Sequence, residues 1–313
     1  MESISSWKPT VLGVVPVLAW GAAIPITRIL QAQMGALRAM GAVFAITGVL
    51  GLAEMAVNRS KFPPRSVFAN PYLYARWLAF VIHEACVVAA ISIVRLENVP
   101  LVILINYLWP TVTILASVLM SDVPVVRPLA VACGSGIVLA SLSFELLRKA
   151  DLSLEPYTRD LLAYGVALIG AVAWGLYGSV TKRAGQATGG GSVLPLFQLT
   201  LGFALPVSFT LRNAGTSFNV LSSYGLYLAL FIWVQFLAYR YWDYGMRHGN
   251  LVILSLMADS IPWISLVAAR LLLGVGLDSV TVVSAFALVA GAVVTRYGTT
   301  SAFGFVSWWP GRR

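Results

Sequence analysis

Long apolar stretches separated by short polar segments dominate this chain. Several contain no charged residue at all, namely 9–27, 98–121, 161–181, 184–211 and 213–239. Each is close to or longer than the ~20 residues that a helix needs to cross the hydrocarbon core of a bilayer. Segments of about ten residues that alternate apolar and polar positions, as in outer-membrane barrels, are absent from the sequence. The pattern therefore predicts membrane-spanning helices.

The apolar stretches predict ten helices. They cover residues 10–30, 35–57, 72–95, 98–120, 125–147, 160–182, 192–212, 221–246, 250–273 and 278–298. The longest polar breaks are 58–71 and 148–159, and the second separates five helices from five more. No segment outside the helices is long enough to fold alone, which argues against an appended enzymatic domain. The predicted fold class is an all-α polytopic membrane protein.

Short motifs occur twice at nearly the same offset. Ala-Trp-Gly stands at 19–21 and again at 173–175, and Leu-Val-Ile-Leu stands at 101–104 and again at 251–254. Each Ala-Trp-Gly is followed at the same distance by a threonine and a cation. Internal repeats in a strongly apolar chain are typical of transporters.

The repeats divide the chain into two predicted units. Residues 1–150 form an N-terminal five-helix repeat, and residues 151–313 form a C-terminal five-helix repeat with a short cytoplasmic tail. Because each unit has an odd number of helices, the second copy starts on the opposite face of the membrane. The two repeats are therefore predicted to be inverted, with a substrate site near the midplane where they meet.

The composition supports a membrane protein and argues against a nucleic-acid partner. Apolar residues make up 59% of the chain and charged residues only 11%, whereas soluble domains carry about a quarter charged residues. The net charge is +9, but thirteen of the 21 Lys and Arg residues fall on one side of the predicted membrane topology. Cytoplasmic loops carry such an excess. We therefore predict a multi-pass protein of the bacterial inner membrane with both termini in the cytoplasm.

Three titratable residues lie deep in predicted helices: His83, Glu84 and Asp259. A charge near the bilayer centre is costly unless it faces a cavity or a partner. For Asp259 the sequence leaves two alternatives open, a substrate-ammonium or proton site and a structural hydrogen bond. Adjacent helical positions point about 100° apart, so at most one of His83 and Glu84 is expected to face a cavity squarely.

Aromatic residues and prolines complete the predicted substrate site. Deep Trp and Tyr side chains need partners for their N–H and O–H groups, and a wet cavity provides them. Pro110 and Pro262 interrupt corresponding helices of the two repeats, which is the best sequence pointer to a transport site. The predicted substrate-binding residues are Trp20, His83, Asn106, Tyr107, Trp109, Pro110, Trp174, Tyr177, Tyr239, Asp259 and Pro262.

Two other groups of residues are interpreted as structural. Arg240, Asp243 and Arg247 share one helix face near the end of the eighth span and are predicted to form a neutralising surface cluster. Small residues at four-residue spacing, such as Ala132 and Gly136, are predicted to permit close contact between helices.

The sequence contains no catalytic set, no cofactor-binding motif and no metal-binding pattern. Cys86 and Cys133 both fall inside predicted helices and are not placed to form a loop disulfide. A membrane-embedded enzyme is therefore disfavoured, and we predict no cofactor and no metal. The expected partners are the lipid bilayer and small-molecule substrates, and the chain is expected to act as a monomer.

The string Asn-Tyr-Leu-Trp-Pro-Thr at 106–111, read with the doubled Ala-Trp-Gly, resembles the drug/metabolite transporter superfamily (EamA-like). Within that superfamily the string resembles the YddG-type aromatic amino acid exporters, as does Gly-Asn at 249–250. The resemblance implies a bundle of five plus five helices whose central cavity opens alternately to each side. The chain departs from the family at 258–262, where Ala-Asp-Ser-Ile-Pro replaces Ser-Tyr-aromatic-Thr-Pro. An acid there predicts a change in which amino acids are accepted.

The resemblance implies an exporter of amino acids, aromatic and other ones, or of related metabolites. Efflux of cationic drugs or other small metabolites through the same fold is the alternative.

Overall fold

The computed structural model describes residues 7–57, 65–120, 124–149, 154–185, 192–210 and 220–299. Within these ranges the chain is almost entirely helical and contains no β-strand, so the predicted helical class is confirmed for this part of the protein. The α-helices of the described ranges are α1 Trp7–Gly21, α2 Ala23–Met34, α3 Ala36–Val57, α4 Pro71–Ile93, α5 Val99–Asn106, α6 Trp109–Leu119, α7 Pro128–Lys149, α8 Leu154–Gly185, α9 Leu194–Thr210, α10 Val220–His248, α11 Leu251–Ala258, α12 Ile261–Leu273 and α13 Ser279–Thr299.

Length and composition make these helices suitable for a bilayer. Among the described residues, seven helical segments are long and apolar enough to cross a membrane, or eight if the bent pair α1 and α2 is one span. Large apolar side chains such as Leu119, Leu129 and Leu271 lie on the outside of the bundle and are at least 76% exposed. Such apolar side chains are compatible with contact to lipid, and the backbone N–H and C=O groups form their hydrogen bonds within the helices.

Three of the ten predicted spans are broken rather than straight. The first bends by 44° between α1 and α2. The other two are interrupted between α5 and α6 and between α11 and α12, and Pro110 and Pro262 are each the second residue of the helix that follows. Proline has no N–H to donate and fits the first helical turn, so a new helix begins there. The predicted interruptions at both prolines are therefore present.

The helices before residue 150 interlock with those after it. The most extensive contacts between helices of the described ranges join α7 with α13, α4 with α8, α3 with α9 and α1 with α10. Every pair joins one half of the chain to the other. The two halves thus share one helical bundle.

The closest contact between α7 and α13 is made at Gly134, which is not one of the predicted small residues spaced four positions apart. A Cβ added at Gly134 would lie 2.3 Å from the backbone nitrogen of Thr295 and 2.6 Å from the carbonyl oxygen of Gly291. A Cβ at Gly136 would meet nothing within 4 Å. The prediction for Ala132 and Gly136 is wrong because both lie on the exposed side of α7.

We expect Gly134→Ala to destabilise the protein by about 1–3 kcal/mol, since the new methyl group forces the two backbones apart. Gly136→Ala, two residues along the same helix, is the matched control, since it brings the same gain in helix propensity of about 0.5–1 kcal/mol without the clash. Thermal unfolding of both variants in detergent measures the difference. Equal melting temperatures for the two variants would show that α7 and α13 are not in close contact.

Candidate substrate cavity

A small cavity lies at the centre of the bundle between the two halves. Its volume is about 60 Å³. The first half contributes residues of α1 to α6 and the second half contributes residues of α8 and α10. The lining residues are Trp20, Ala23, Ile24, Thr27, Met40, His83, Glu84, Val87, Asn106, Tyr107, Trp109, Trp174, Gln235 and Tyr239.

Most of the predicted site residues lie on this cavity. Seven of them line it directly: Trp20, His83, Asn106, Tyr107, Trp109, Trp174 and Tyr239. Tyr177 lies behind the wall and stacks on Trp174. Pro110 and Pro262 begin helices at the two breaks, and Asp259 is not among the lining residues.

Trp174 is the centre of the aromatic cluster around the cavity. Its ring stacks on Tyr177 and on His83, with both pairs of ring centroids 4.6 Å apart. Edge-to-face contacts join it to Trp20 at 5.9 Å and to Trp109 at 6.4 Å. Aromatic pairs of this kind contribute about 0.5–1.5 kcal/mol each beyond their buried area. The cluster therefore fixes Trp174 between α4 and α6.

The glycines of the doubled Ala-Trp-Gly explain why both tryptophans reach the cavity. A Cβ at Gly21 would lie 2.2 Å from Ile264, and one at Gly175 would lie 2.5 Å from Val112. Ile264 and Val112 each stand two residues after a helix-starting proline, Pro262 and Pro110. The two contacts are therefore equivalent in the two halves. Each brings an Ala-Trp-Gly helix close against the broken span of the other half.

Hydrogen bonds hold the polar lining in place. The Trp20 Nε1 donates to Gln235 Oε1 at 3.1 Å, and the Tyr107 hydroxyl donates to the Trp20 carbonyl oxygen at 2.8 Å. The His83 Nδ1 lies 2.9 Å from the Gly170 carbonyl oxygen. Because a carbonyl can only accept, we infer that His83 carries a proton on Nδ1.

Both His83 and Glu84 line the cavity, although they are adjacent on α4. The two side chains have partners on different helices. His83 contacts Gly170 on α8, whereas Glu84 accepts a hydrogen bond from the Tyr239 hydroxyl on α10. Because adjacent helical positions point about 100° apart, His83 and Glu84 contact different helices, and both still line the cavity.

Two known proteins resemble this chain over most of its length. No family model matches the chain. The chain is 25% identical over 282 residues to the aromatic amino acid exporter YddG of Escherichia coli (strain K12), covering 87% of this chain and 90% of the relative. It is 24% identical over 302 residues to the aromatic amino acid exporter YddG of Salmonella typhimurium (strain 14028s / SGSC 2262), covering 95% and 97%. The chain is thus similar to the two YddG exporters over most of its length.

The resemblance predicted from the sequence is thereby confirmed, and with it a multi-pass membrane protein. A crystal structure that is 20% identical also matches, with a TM-score of 0.66 over 95% of this chain and 98% of that one. The overall fold is therefore one that an experimentally solved protein also has.

Asp259 is ion-paired away from the lining residues. Both of its carboxylate oxygens contact the Arg296 guanidinium, one of them at 2.8 Å, and both side chains are buried. Arg296 lies close to the end of the last predicted helix, and sequence reasoning did not name it as a partner of Asp259. The contact favours the structural alternative for Asp259, a carboxylate held against a neighbouring helix.

The prediction that Asp243 belongs to a surface cluster near the end of α10 is wrong, because Asp243 is only 1% exposed. Its carboxylate lies 2.8 Å from Arg76, 3.0 Å from Arg247 and 2.6 Å from the Ser192 hydroxyl. Arg240 instead pairs with Glu54. Asp243 thus ties α10 to α4 and to the start of α9.

Sequence reasoning omitted several lining residues from the predicted site, among them Glu84 and Gln235. Gln235 offered a signal, since it is a polar residue in an apolar stretch four positions before Tyr239. Thr27, Met40 and the aliphatic lining residues gave no such signal, because they resemble ordinary packing residues.

Proposed function

We propose that this protein exports amino acids, aromatic ones among them, across the bacterial inner membrane by alternating access through the central cavity. The observation that carries the proposal is the pair Trp20 and Trp174, which are equivalent in the repeats and line one cavity from the two halves. The names of the two YddG relatives support the substrate class. An aromatic wall offers apolar area to a side chain and a favourable face to an ammonium group.

We further propose that the fold has ten membrane-spanning helices in two inverted repeats, 1–150 and 151–313. The equivalent contacts of Gly21 and Gly175 support this symmetry. The helix pairing supports it too. If the two halves exchange places, the pairs α3–α9 and α7–α13 map onto themselves, and the pair α4–α8 maps onto the pair α10–α1.

The size of the cavity supports a conformational cycle. Sites for small molecules usually enclose about 300–1,000 Å³, far more than the volume of about 60 Å³ found here. An amino acid can therefore enter only if the surrounding helices move apart. Opening toward one side of the membrane and then the other would carry it across.

The proposed topology places the C-terminal end of α3 in the cytoplasm and the connection between α4 and α5 outside. Val57 and Glu97 are exposed at these two places. We expect Glu97→Cys, in a Cys86→Ala/Cys133→Ala background, to react with an impermeant thiol reagent in whole cells. Val57→Cys should react only in inverted membrane vesicles. The reverse pattern would contradict the orientation, and reaction of both from one face would contradict a membrane-spanning α4.

Transport itself is tested with purified protein in liposomes and a panel of amino acids, with and without a pH gradient. We expect phenylalanine and tryptophan to cross the membrane chemically unchanged. Release of an altered product would identify an enzyme instead. Movement of cationic drugs without movement of any amino acid would favour the alternative that the sequence left open.

A further inference from the structure

Glu84 is a buried carboxylate on the cavity wall. Four other buried acids each have an arginine within ion-pair distance: Asp160, Glu145, Asp243 and Asp259. Among the described residues no Lys, Arg or His side chain forms an ion pair with Glu84. Burying an unpaired charge is costly. A residue placed so is suited to meet a cation that arrives with the substrate.

The hydrogen bonding of Glu84 leaves room for such a cation. Its Oε1 accepts from the Tyr239 hydroxyl, whereas a carboxylate offers about four acceptor positions. Asn106 lines the same small cavity, and its Oδ1 is buried without a hydrogen-bond partner in the part of the chain described. An ammonium group has three donors and no acceptor. Glu84 and Asn106 together present the acceptors that this group requires.

The rest of the lining favours a cation as well. Trp20, Trp109 and Trp174 surround the cavity, and aromatic faces attract ammonium groups. The lining contains no Lys and no Arg. A substrate carboxylate would therefore find only neutral donors, whereas the ammonium group finds a carboxyl group that can supply its counter-charge. The lining is therefore better suited to the amine end of a substrate than to its carboxylate end.

We propose that Glu84, oriented by Tyr239 and assisted by Asn106, binds the ammonium group of the substrate, and that aromatic primary amines lacking a carboxylate are also transported. This inference rests on the proposed function, because it assigns an ammonium subsite to the same cavity. Aromatic acids that lack the amine are excluded by the same arrangement.

The test uses three probes that differ only in their charged groups: phenylalanine, phenethylamine and 3-phenylpropionate. In wild-type proteoliposomes we expect phenethylamine to be taken up and to compete with phenylalanine, and 3-phenylpropionate to do neither. Glu84→Gln keeps the shape of the side chain and an oxygen for Tyr239 but removes the charge. We expect it to weaken competition by phenethylamine roughly tenfold or more, as for other hydrogen bonds to a charged group. Glu97→Gln, the same change at an exposed residue, is the control and should behave as wild type.

The outcomes separate this inference from the proposed function. Wild-type transport of phenylalanine without competition by phenethylamine, or equal competition by 3-phenylpropionate, would overturn the ammonium subsite and leave amino-acid export intact. Unchanged competition in Glu84→Gln would overturn it too. Failure of the wild type to move any of the three probes would overturn the proposed function itself. Because the wild-type competition needs no variant, the test holds even if Glu84→Gln does not fold.

Discussion

Replacing Asp243 by Asn is expected to destabilise the protein by about 3–5 kcal/mol, the usual cost of removing one partner from a buried ion pair. Arg76 and Asp243 are each 1% exposed. The Nε and Nη1 atoms of Arg76 already lack partners among the described residues. In the variant Arg76 would retain the Tyr177 hydroxyl at 3.4 Å and could still donate to the amide oxygen of the new asparagine, but no negative charge would face it. A buried guanidinium would then be left without its counter-charge.

Thermal unfolding in detergent measures this effect. Asp278→Asn is the matched control, since Asp278 also pairs with an arginine but is about half exposed, and exposed pairs contribute about 0–1 kcal/mol. In the double variant Arg76→Met/Asp243→Asn, part of the lost stability should return because no guanidinium at position 76 is left unpaired. If Asp243→Asn and Asp278→Asn shift the melting temperature equally, the buried network does not hold α4 and α10 together.

Trp174→Ala is expected to reduce transport of phenylalanine roughly tenfold or more, because burying an aromatic side chain is worth about 1.5–3 kcal/mol. The variant removes the ring that contacts His83, Trp20 and Trp109 across the cavity. Trp174→Phe keeps an aromatic wall and should retain a large part of the activity. Initial rates in proteoliposomes with equal amounts of reconstituted protein give the comparison.

The control for this prediction is Trp233→Ala, since Trp233 lies on the outside of α10 and is 55% exposed. Its removal should leave transport within about twofold of wild type, as expected for a surface change. A Trp174→Ala protein that stays monodisperse and transports at the wild-type rate would exclude Trp174 from the substrate path.

The sequence predicted the parts of the site that depend on local chemistry and on repetition. Pro110 and Pro262 interrupt helices for a reason that lies within the chain, the missing N–H and the fixed backbone angle. The doubled Ala-Trp-Gly pointed to Trp20 and Trp174 as equivalent positions, and both line the cavity. These inferences need no knowledge of how the helices pack.

Other features depended on which face of a helix meets its neighbours, and the sequence did not reveal that face. A membrane helix is apolar on all sides, so no amphipathic stripe marks the buried side as it does in soluble proteins. Gly134 and Gly136 look alike in the sequence, yet only Gly134 faces α13. The burial of Asp243 and the pairing of Asp259 with Arg296 likewise follow from partners that are distant along the chain.

The central claim is that a substrate occupies the cavity between the halves and that the cavity opens in turn to each side. Thr27 lines the cavity and is buried, so Thr27→Cys in the Cys86→Ala/Cys133→Ala background reports access to it with little change in side-chain size. The measurement is the rate at which an impermeant thiol reagent labels this cysteine in right-side-out and in inverted vesicles, with and without phenylalanine. The account predicts labelling from both sides and a lower rate from each side when phenylalanine is bound. Labelling from one side only, or rates that phenylalanine leaves unchanged in protein that still transports it, would contradict the account.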